Sequence, residues 1–294
     1  MAPMQRLTLA HSPDPDDAFM WWALSGTSGS CPIDTEGFEF DIILDDIQSL
    51  NEKAMGGEFD ITAISCAQYP FVADRYAITA CGASFGENYG PKLVARHPIS
   101  IDELRAADCP IAVPGLRTTA ALLASMILGS PVGRLTPVPF DVVAERVAAG
   151  DYQAGVVIHE GQLTFADLGL HLVADVGAWW FRATGLPLPL GLNVMKRDLA
   201  TRLDPGSLQR VVNVLERSIR FALDHRDDAV AAVMPFARGI TPRQADEFIG
   251  MYVNRFTLDC GADGRKAVQA LLEHGYRAGV LPPVVGIDII SPPR

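Results

Sequence analysis

The sequence predicts a two-lobed α/β protein whose chain crosses twice between the lobes. Three observations carry this: the length, two successive sets of alternating strands and helices, and a helical tail. A chain of 294 residues fits two domains at roughly 100–200 residues each. Strands that alternate with helices imply parallel neighbours joined by right-handed crossovers. The tail then packs back on the first lobe. This assigns residues 1–92 and 198–294 to lobe one and 93–197 to lobe two, with crossings near Lys92–Ala95 and Asn193–Val194.

The first set opens with a short apolar strand, Leu7–Ala10. Asp16 or Asp17 can cap a helix that starts near Ala18 and runs through Trp22 to Leu24. Phe38–Leu44 alternates as a strand does. Ile47–Met55 follows as a helix stopped by Gly56 and Gly57. Asp60–Cys66 is apolar at nearly every position, as in a strand covered on both faces. The second set begins near Pro98: helix Ile99–Ala107, strand Pro110–Val113, helix Thr118–Leu128 between Gly115 and Gly129, strand Leu135–Pro139, helix Asp141–Ala149, and strands Ala154–Ile158 and Leu170–Asp175. Beyond Asp204, the segments Leu208–Leu223, Ala229–Met234, Thr241–Tyr252 and Gly264–Ala278 carry helical periodicity, with Asp204, Thr241 and Asp263 at cap positions. Val284–Ile290 reads as extended.

Composition narrows the function. The net charge of -11 opposes nucleic acid and anionic membranes, so an anionic ligand must be caught by a local arrangement of donors. No apolar run approaches the ~20 residues of a membrane span. The first residues run directly into an apolar strand without a basic region or cleavage pattern, so a cytoplasmic protein is expected. Five scattered cysteines without a C-x-x-C read as reduced thiols. They form no zinc pattern.

In open parallel sheets, ligands lie beyond the carboxyl ends of the strands. The first such end is His11–Asp17. There Ser12 can line a cleft, and Asp14, Asp16 and Asp17 read either as helix-capping charges or as part of the site. The second is Ile64-Ser65-Cys66, where a hydroxyl follows an apolar strand. The third is Pro114–Ala120, a glycine turn into a helix. Its free N–H groups, the hydroxyls of Thr118 and Thr119, and Arg117 suit an anion, although one Thr acting as an N-cap accounts for part of the pattern. The glycines do not fit a P-loop or a dinucleotide fingerprint. The fourth end is the most informative. Strand Ala154–Ile158 delivers His159 to the cleft mouth, where a neutral imidazole can accept a proton at cellular pH. A lone His is more often structural, but four apolar strand positions lead directly to this one. Glu160 points to the opposite face if the strand continues, which suits it to a lobe contact rather than to orienting His159. His11 is the second candidate base.

Six segments in order resemble the 1,4-dihydroxy-6-naphthoate synthase family of the futalosine route to menaquinone. They are Ser12–Asp17, Gly86–Pro91, Thr118–Ala120, Val157–Gly161, Thr184–Gly191 and Tyr252–Asp259, and the likeness covers almost the whole chain. The resemblance implies a fold like that of type II periplasmic binding proteins, with a small carboxylated substrate in the inter-lobe cleft. It implies conversion of cyclic dehypoxanthinylfutalosine to 1,4-dihydroxy-6-naphthoate by carbon–carbon cleavage, with no metal or organic cofactor. The family's proton-accepting His falls on His159. Its threonine–alanine contact falls on Thr119 and Ala120, and its strand-end contact on Ala63, Ile64 and Ser65. The substrate carboxylate is expected on the hydroxyl and N–H of Thr119, with Ser65 reaching from the other lobe. Where the family opening usually reads Ser-Pro-Cys-Pro-Asn-Asp-Thr-Phe, this chain has Asp14, Asp16 and Ala18 in place of Cys, Asn and Thr. Ala63 stands where Lys is common. The site has thus lost a cation and a hydroxyl and gained acids. A cytoplasmic non-catalytic acid-binding protein and a chorismate dehydratase of the same fold are the competing readings. Val157–Gly161 points away from the latter.

Overall fold

The computed structural model describes residues 4–26, 31–107, 109–129, 132–283 and 286–293. Val284 and Val285, where the last extended stretch was expected to begin, lie outside the described residues, as do the first three residues of the N-terminal reading. The strands are β1 Gln5–His11, β2 Phe38–Leu44, β3 Ile61–Ser65, β4 Tyr76–Thr79, β5 Ser84–Gly86, β6 Lys92–Ala95, β7 Ile111–Val113, β8 Leu135–Pro137, β9 Ala154–Val157, β10 His171–Asp175, β11 Leu188–Lys196 and β12 Ile289–Ile290. They form two sheets. The first has the order β12-β4-β11-β3-β1-β2, with β5 also on β11, and the second the order β10-β6-β9-β7-β8.

The expected parallel pairs form: β1 with β2 and β3, and β7 with β8 and β9. Two antiparallel strands were not anticipated. β6, expected as a connection, pairs with β9 and β10. β11 pairs with β3, β4 and β5 in the first sheet. The chain therefore re-enters that sheet before Leu188, upstream of the expected crossing at Asn193–Val194. Pro189 and Gly191 hid this strand, since both residues argue against a strand interior. The structure accommodates them with a register shift between Pro189 and Gly191, as a bulge does.

The tail helices behave as their periodicity implies. The helix Ser207–Asp224 buries Val211, Val212, Val214, Leu215, Ile219 and Ala222. These share one apolar cluster with Leu7 and Leu9 of β1 and with Phe19, Met20 and Trp21 of the first helix. Thr241 and Gln244 cap the helix Pro242–Tyr252 reciprocally, satisfying two donors that a bare helix end leaves open. The helix Gly261–Arg277 packs Val268, Leu271 and Leu272 into a second cluster with Ile64 of β3 and Leu122 and Trp180 of the middle segment. Among the described residues no helix is long and apolar enough to cross a membrane. The cysteines are free, and burial pushes the thiols of Cys66 and Cys81 up and that of Cys260 to about 11. These three are therefore poor nucleophiles.

Candidate functional site

A cleft of about 710 Å³, measured out to its open mouth, lies where strand ends of both sheets meet. From the first sheet it is lined by Ser12, Ala63, Ile64, Ser65 and Gly191, and from the second by Ile158 and His159, with Thr118, Thr119 and Ala120 at a helix start. All the site residues expected from sequence are thus brought together.

The β1 end differs from expectation. The first helix starts at Pro15, not near Ala18, because proline at the first helical position supplies the helical φ and lacks only an N–H that has no partner there. Asp14 occupies the N-cap position but makes no capping bond, and Asp16 and Asp17 fall inside the first turn. Asp17 accepts from both the N–H and the hydroxyl of Ser12, at 3.0 and 2.7 Å, so the Ser12 hydrogen is committed to the protein. Asp16 lines the cleft. Burial, then the neighbouring Asp17 and Asp14, raises its carboxyl well above the usual range. Burial also raises Asp17, against the pull of His11 and Ser12. His11 is held neutral by burial, bonds the Ser12 carbonyl through Nδ1 at 2.8 Å, and does not line the cleft.

The third strand end presents a set donor. Ser65 Oγ accepts from Asn51 Nδ2 at 3.0 Å, and Ser65 N–H donates to Asn51 Oδ1 at 2.8 Å. With its acceptor side occupied, the hydroxyl keeps its own hydrogen for the cleft. The helix Thr119–Leu128 works differently from the expectation. The Thr118 hydroxyl caps the helix through Ala121 N–H and donates to Gly115 O at 2.7 Å. The Thr119 hydroxyl donates to Leu190 O at 2.8 Å and accepts from Ala67 N–H at 3.2 Å. Neither hydroxyl retains a hydrogen for a carboxylate. The backbone N–H groups of Thr119 and Ala120, in the first turn and without partners among the described residues, remain as donors. Arg117 turns away, its guanidinium 5.5 Å from the Phe71 ring, while its N–H donates to Gln48 Oε1 at 3.1 Å. Gly115 is required at this approach, since a Cβ there would lie 2.2 Å from the same Gln48 oxygen.

His159 lies in the turn two residues beyond β9, in the left-handed region with φ 51°. That backbone costs an ordinary residue about 1–2 kcal/mol and collects at functional positions. The turn keeps Glu160 from continuing the strand. Glu160 is buried and accepts from Arg238 N–H at 3.2 Å, a contact between the middle segment and the tail. His159 Nε2 is 3.2 Å from Asp14 Oδ2, and Phe140 packs edge-on to its ring at 5.0 Å between centroids.

Sequence reasoning missed several cleft residues. Among them are Pro91, Gln162, Leu190, Phe248 and Tyr252. Pro91, Leu190 and Tyr252 fall inside the motifs already singled out, so that signal could have found them. The hydroxyl of Tyr252 hydrogen bonds the Gln162 amide at 2.7 Å, and burial pushes its phenol up. Among the described residues no group of three or more His, Cys, Asp or Glu could hold a metal ion.

Two mixed sheets that close on a cleft at their strand ends define a two-lobed binding-protein-type α/β fold. The alkanesulfonate-binding protein of Xanthomonas axonopodis pv. citri, solved with bound MOPS, shares this fold with a TM-score of 0.70 at 15% identity over 98% of both chains. That likeness is one of fold alone. A family described as menaquinone biosynthesis matches residues 7–277, and the chain belongs to that family. It is 34% identical to the 1,4-dihydroxy-6-naphtoate synthase of Thermus thermophilus, over 95% of this chain and 97% of that one. To the protein of that name from Streptomyces coelicolor it is 35% identical, over 98% of both chains. A solved protein of Archaeoglobus fulgidus matches with a TM-score of 0.84 at 36% identity, over 94% of this chain and 98% of that one.

Proposed function

We propose that this chain is a carbon–carbon lyase of menaquinone biosynthesis, converting cyclic dehypoxanthinylfutalosine to 1,4-dihydroxy-6-naphthoate with His159 as general base. The observation that carries the reading is His159 itself. Its imidazole is held by a left-handed backbone at the end of a buried strand, lines the cleft, and has no hydrogen bond at Nδ1 among the described residues. The substrate carboxylate is assigned to the Ser65 hydroxyl and the N–H groups of Thr119 and Ala120, three donors suited to an anion beside a helix start. Breaking the carbon–carbon bond and aromatising the ring requires a proton to leave carbon or hydroxyl, and a positioned imidazole is a far better acceptor than water at neutral pH. The reading requires no metal or organic cofactor and no nucleic-acid or membrane partner, and it places the protein in the cytoplasm. Its lobes keep the limits 1–92 with 198–294 and 93–197, except that the second boundary moves ahead of β11.

The test is incubation of the purified protein with the cyclic futalosine derivative and, separately, with chorismate, with products read by mass spectrometry. The naphthoate is expected from the first alone. A product from chorismate would make the chain a dehydratase, and binding without turnover of either would make it a binding protein. His159→Asn is expected to fold and bind while kcat falls roughly 10²–10⁴-fold. Asn tolerates the left-handed backbone, so a loss of rate is not a loss of fold. A rate near that of the parent would leave His159 structural.

A further inference from the structure

We propose that Asp14 is a positioning residue for His159, fixing its proton on Nε2 so that Nδ1 is the atom that faces the substrate as base. This rests on the reading of His159 as the base.

Asp14 Oδ2 and His159 Nε2 are both buried and have no hydrogen-bond partner among the described residues, and they lie 3.2 Å apart. Their line is poor for a hydrogen bond, but each is the atom left over for the other. The Asp14 side chain is 1% exposed and the His159 side chain 18%. The carboxylate therefore cannot reach the substrate, whereas the imidazole can. The other oxygen, Asp14 Oδ1, accepts from Arg238 Nη1 at 2.9 Å, and Arg238 Nη2 donates to Pro13 O at 3.1 Å. The same guanidinium lies 4.9 Å from the ring of Phe140, which meets His159 edge-on. Asp14 is thus clamped on one side and free on the side of the ring. An imidazole that donates through one nitrogen to a carboxylate accepts through the other.

The charges around His159 come from several elements. Asp14, with Asp16 and Asp17 behind it, faces it from the first turn, and His11 stays neutral there. Glu160 follows it in sequence and is engaged by Arg238. Tyr252 holds its proton across the cleft, and exposed Asp141 adjoins Phe140. When Nδ1 takes the proton, the electron pair stays on the substrate and the ring becomes an imidazolium with N–H on both nitrogens. The nearest carboxylate oxygen is then a direct counter-charge.

The experiment compares parent, Asp14→Asn and His159→Asn. In histidine-¹⁵N-labelled parent, the resonance lost in His159→Asn is expected to report the Nε2–H tautomer. Asp14→Asn should shift it toward Nδ1–H, because the amide can donate to Nε2. In kinetics, Asp14→Asn should lower kcat at least ten-fold with KM near that of the parent. An Nδ1–H tautomer in the parent, or an Asp14→Asn enzyme with parental kcat and tautomer, overturns the proposal. If His159→Asn turns over at the parental rate, the base reading fails, and the tautomer alone then decides whether Asp14 orients the ring.

Discussion

Asn51 holds Ser65 with both ends of its amide, donating to Oγ at 3.0 Å and accepting from the backbone N–H at 2.8 Å. Asn51 is fully buried in the helix Ile47–Gly56, so the pairing sets the direction of a hydroxyl that the strand alone leaves free to rotate. Asn51→Ala should therefore cost about 2–4 kcal/mol of stability, from a buried N–H left without a partner and from the side-chain volume removed. Urea unfolding measures the loss. Ser65→Ala should cost less stability, since the Ser65 N–H keeps Asn51 Oδ1 and only one Asn51 Nδ2 hydrogen loses its acceptor, and it should raise KM, as the substrate loses one donor.

Thr119 is a brace rather than a ligand hydroxyl. Its Oγ joins Leu190 O of β11 to Ala67 N–H beyond β3. Thr119→Val should strand both groups and destabilise by about 1–3 kcal/mol, and Thr119→Ser should restore most of that. Thermal unfolding gives the stabilities and calorimetry the ligand affinities. Affinity should follow the brace: reduced in Val and near parental in Ser.

The backbone at His159 predicts a stability order. With φ 51°, His159→Gly and His159→Asn should be at least as stable as His159→Ala, with His159→Val lowest, since the left-handed region penalises branching at Cβ most strongly. The spread should be about 1–2 kcal/mol by chemical denaturation. All four variants should be equally inactive, which separates backbone from chemistry.

Asp16 predicts a pH dependence of stability. Its folded-state pKa lies above its unfolded value because burial and the adjacent Asp17 and Asp14 oppose its charge. The unfolded chain therefore ionises first, and stability falls as pH rises from the unfolded pKa of roughly 4 through the raised folded value. Asp16→Asn removes that loss. Its Tm should exceed the parent's at pH 7, by about 2–4 °C per kcal/mol released in a chain of this size or somewhat smaller, and the difference should shrink toward pH 4. A constant difference across that range would show that ionisation of Asp16 is not its source.

Much of the fold was legible in local pattern. The apolar runs of β1, β3 and β9, the glycine stops after the helix Ile47–Gly56 and before Asp151, and the amphipathic spacing of Ser207–Asp224 each express a preference within a few residues. The location of the site followed too, since strand ends of an α/β sheet converge on one side, and Ser12, Ser65, Thr119 and His159 each follow such an end or sit at a helix start.

Tertiary structure alone decided what each of those residues does. β11 stayed hidden because Pro189 and Gly191 oppose a strand locally, and only pairing with β3, β4 and β5 outweighs them. The Thr119 hydroxyl looked free for a ligand until Leu190, which only that strand brings within 2.8 Å, claimed its hydrogen. Asp14 read as a capping charge because its sequence neighbours are a proline and a helix. Its partners, His159 and Arg238, come from the turn after β9 and from the tail. The sequence by itself determined that the ends of β1, β3 and β9 and the start of the helix Thr119–Leu128 reach the cleft, because that depends on where each strand ends, whereas Gln162, Phe248 and Tyr252 join them only through packing. Which hydrogen each of them has left to give depends on long-range neighbours, and those exist only once the two sheets and the tail are packed.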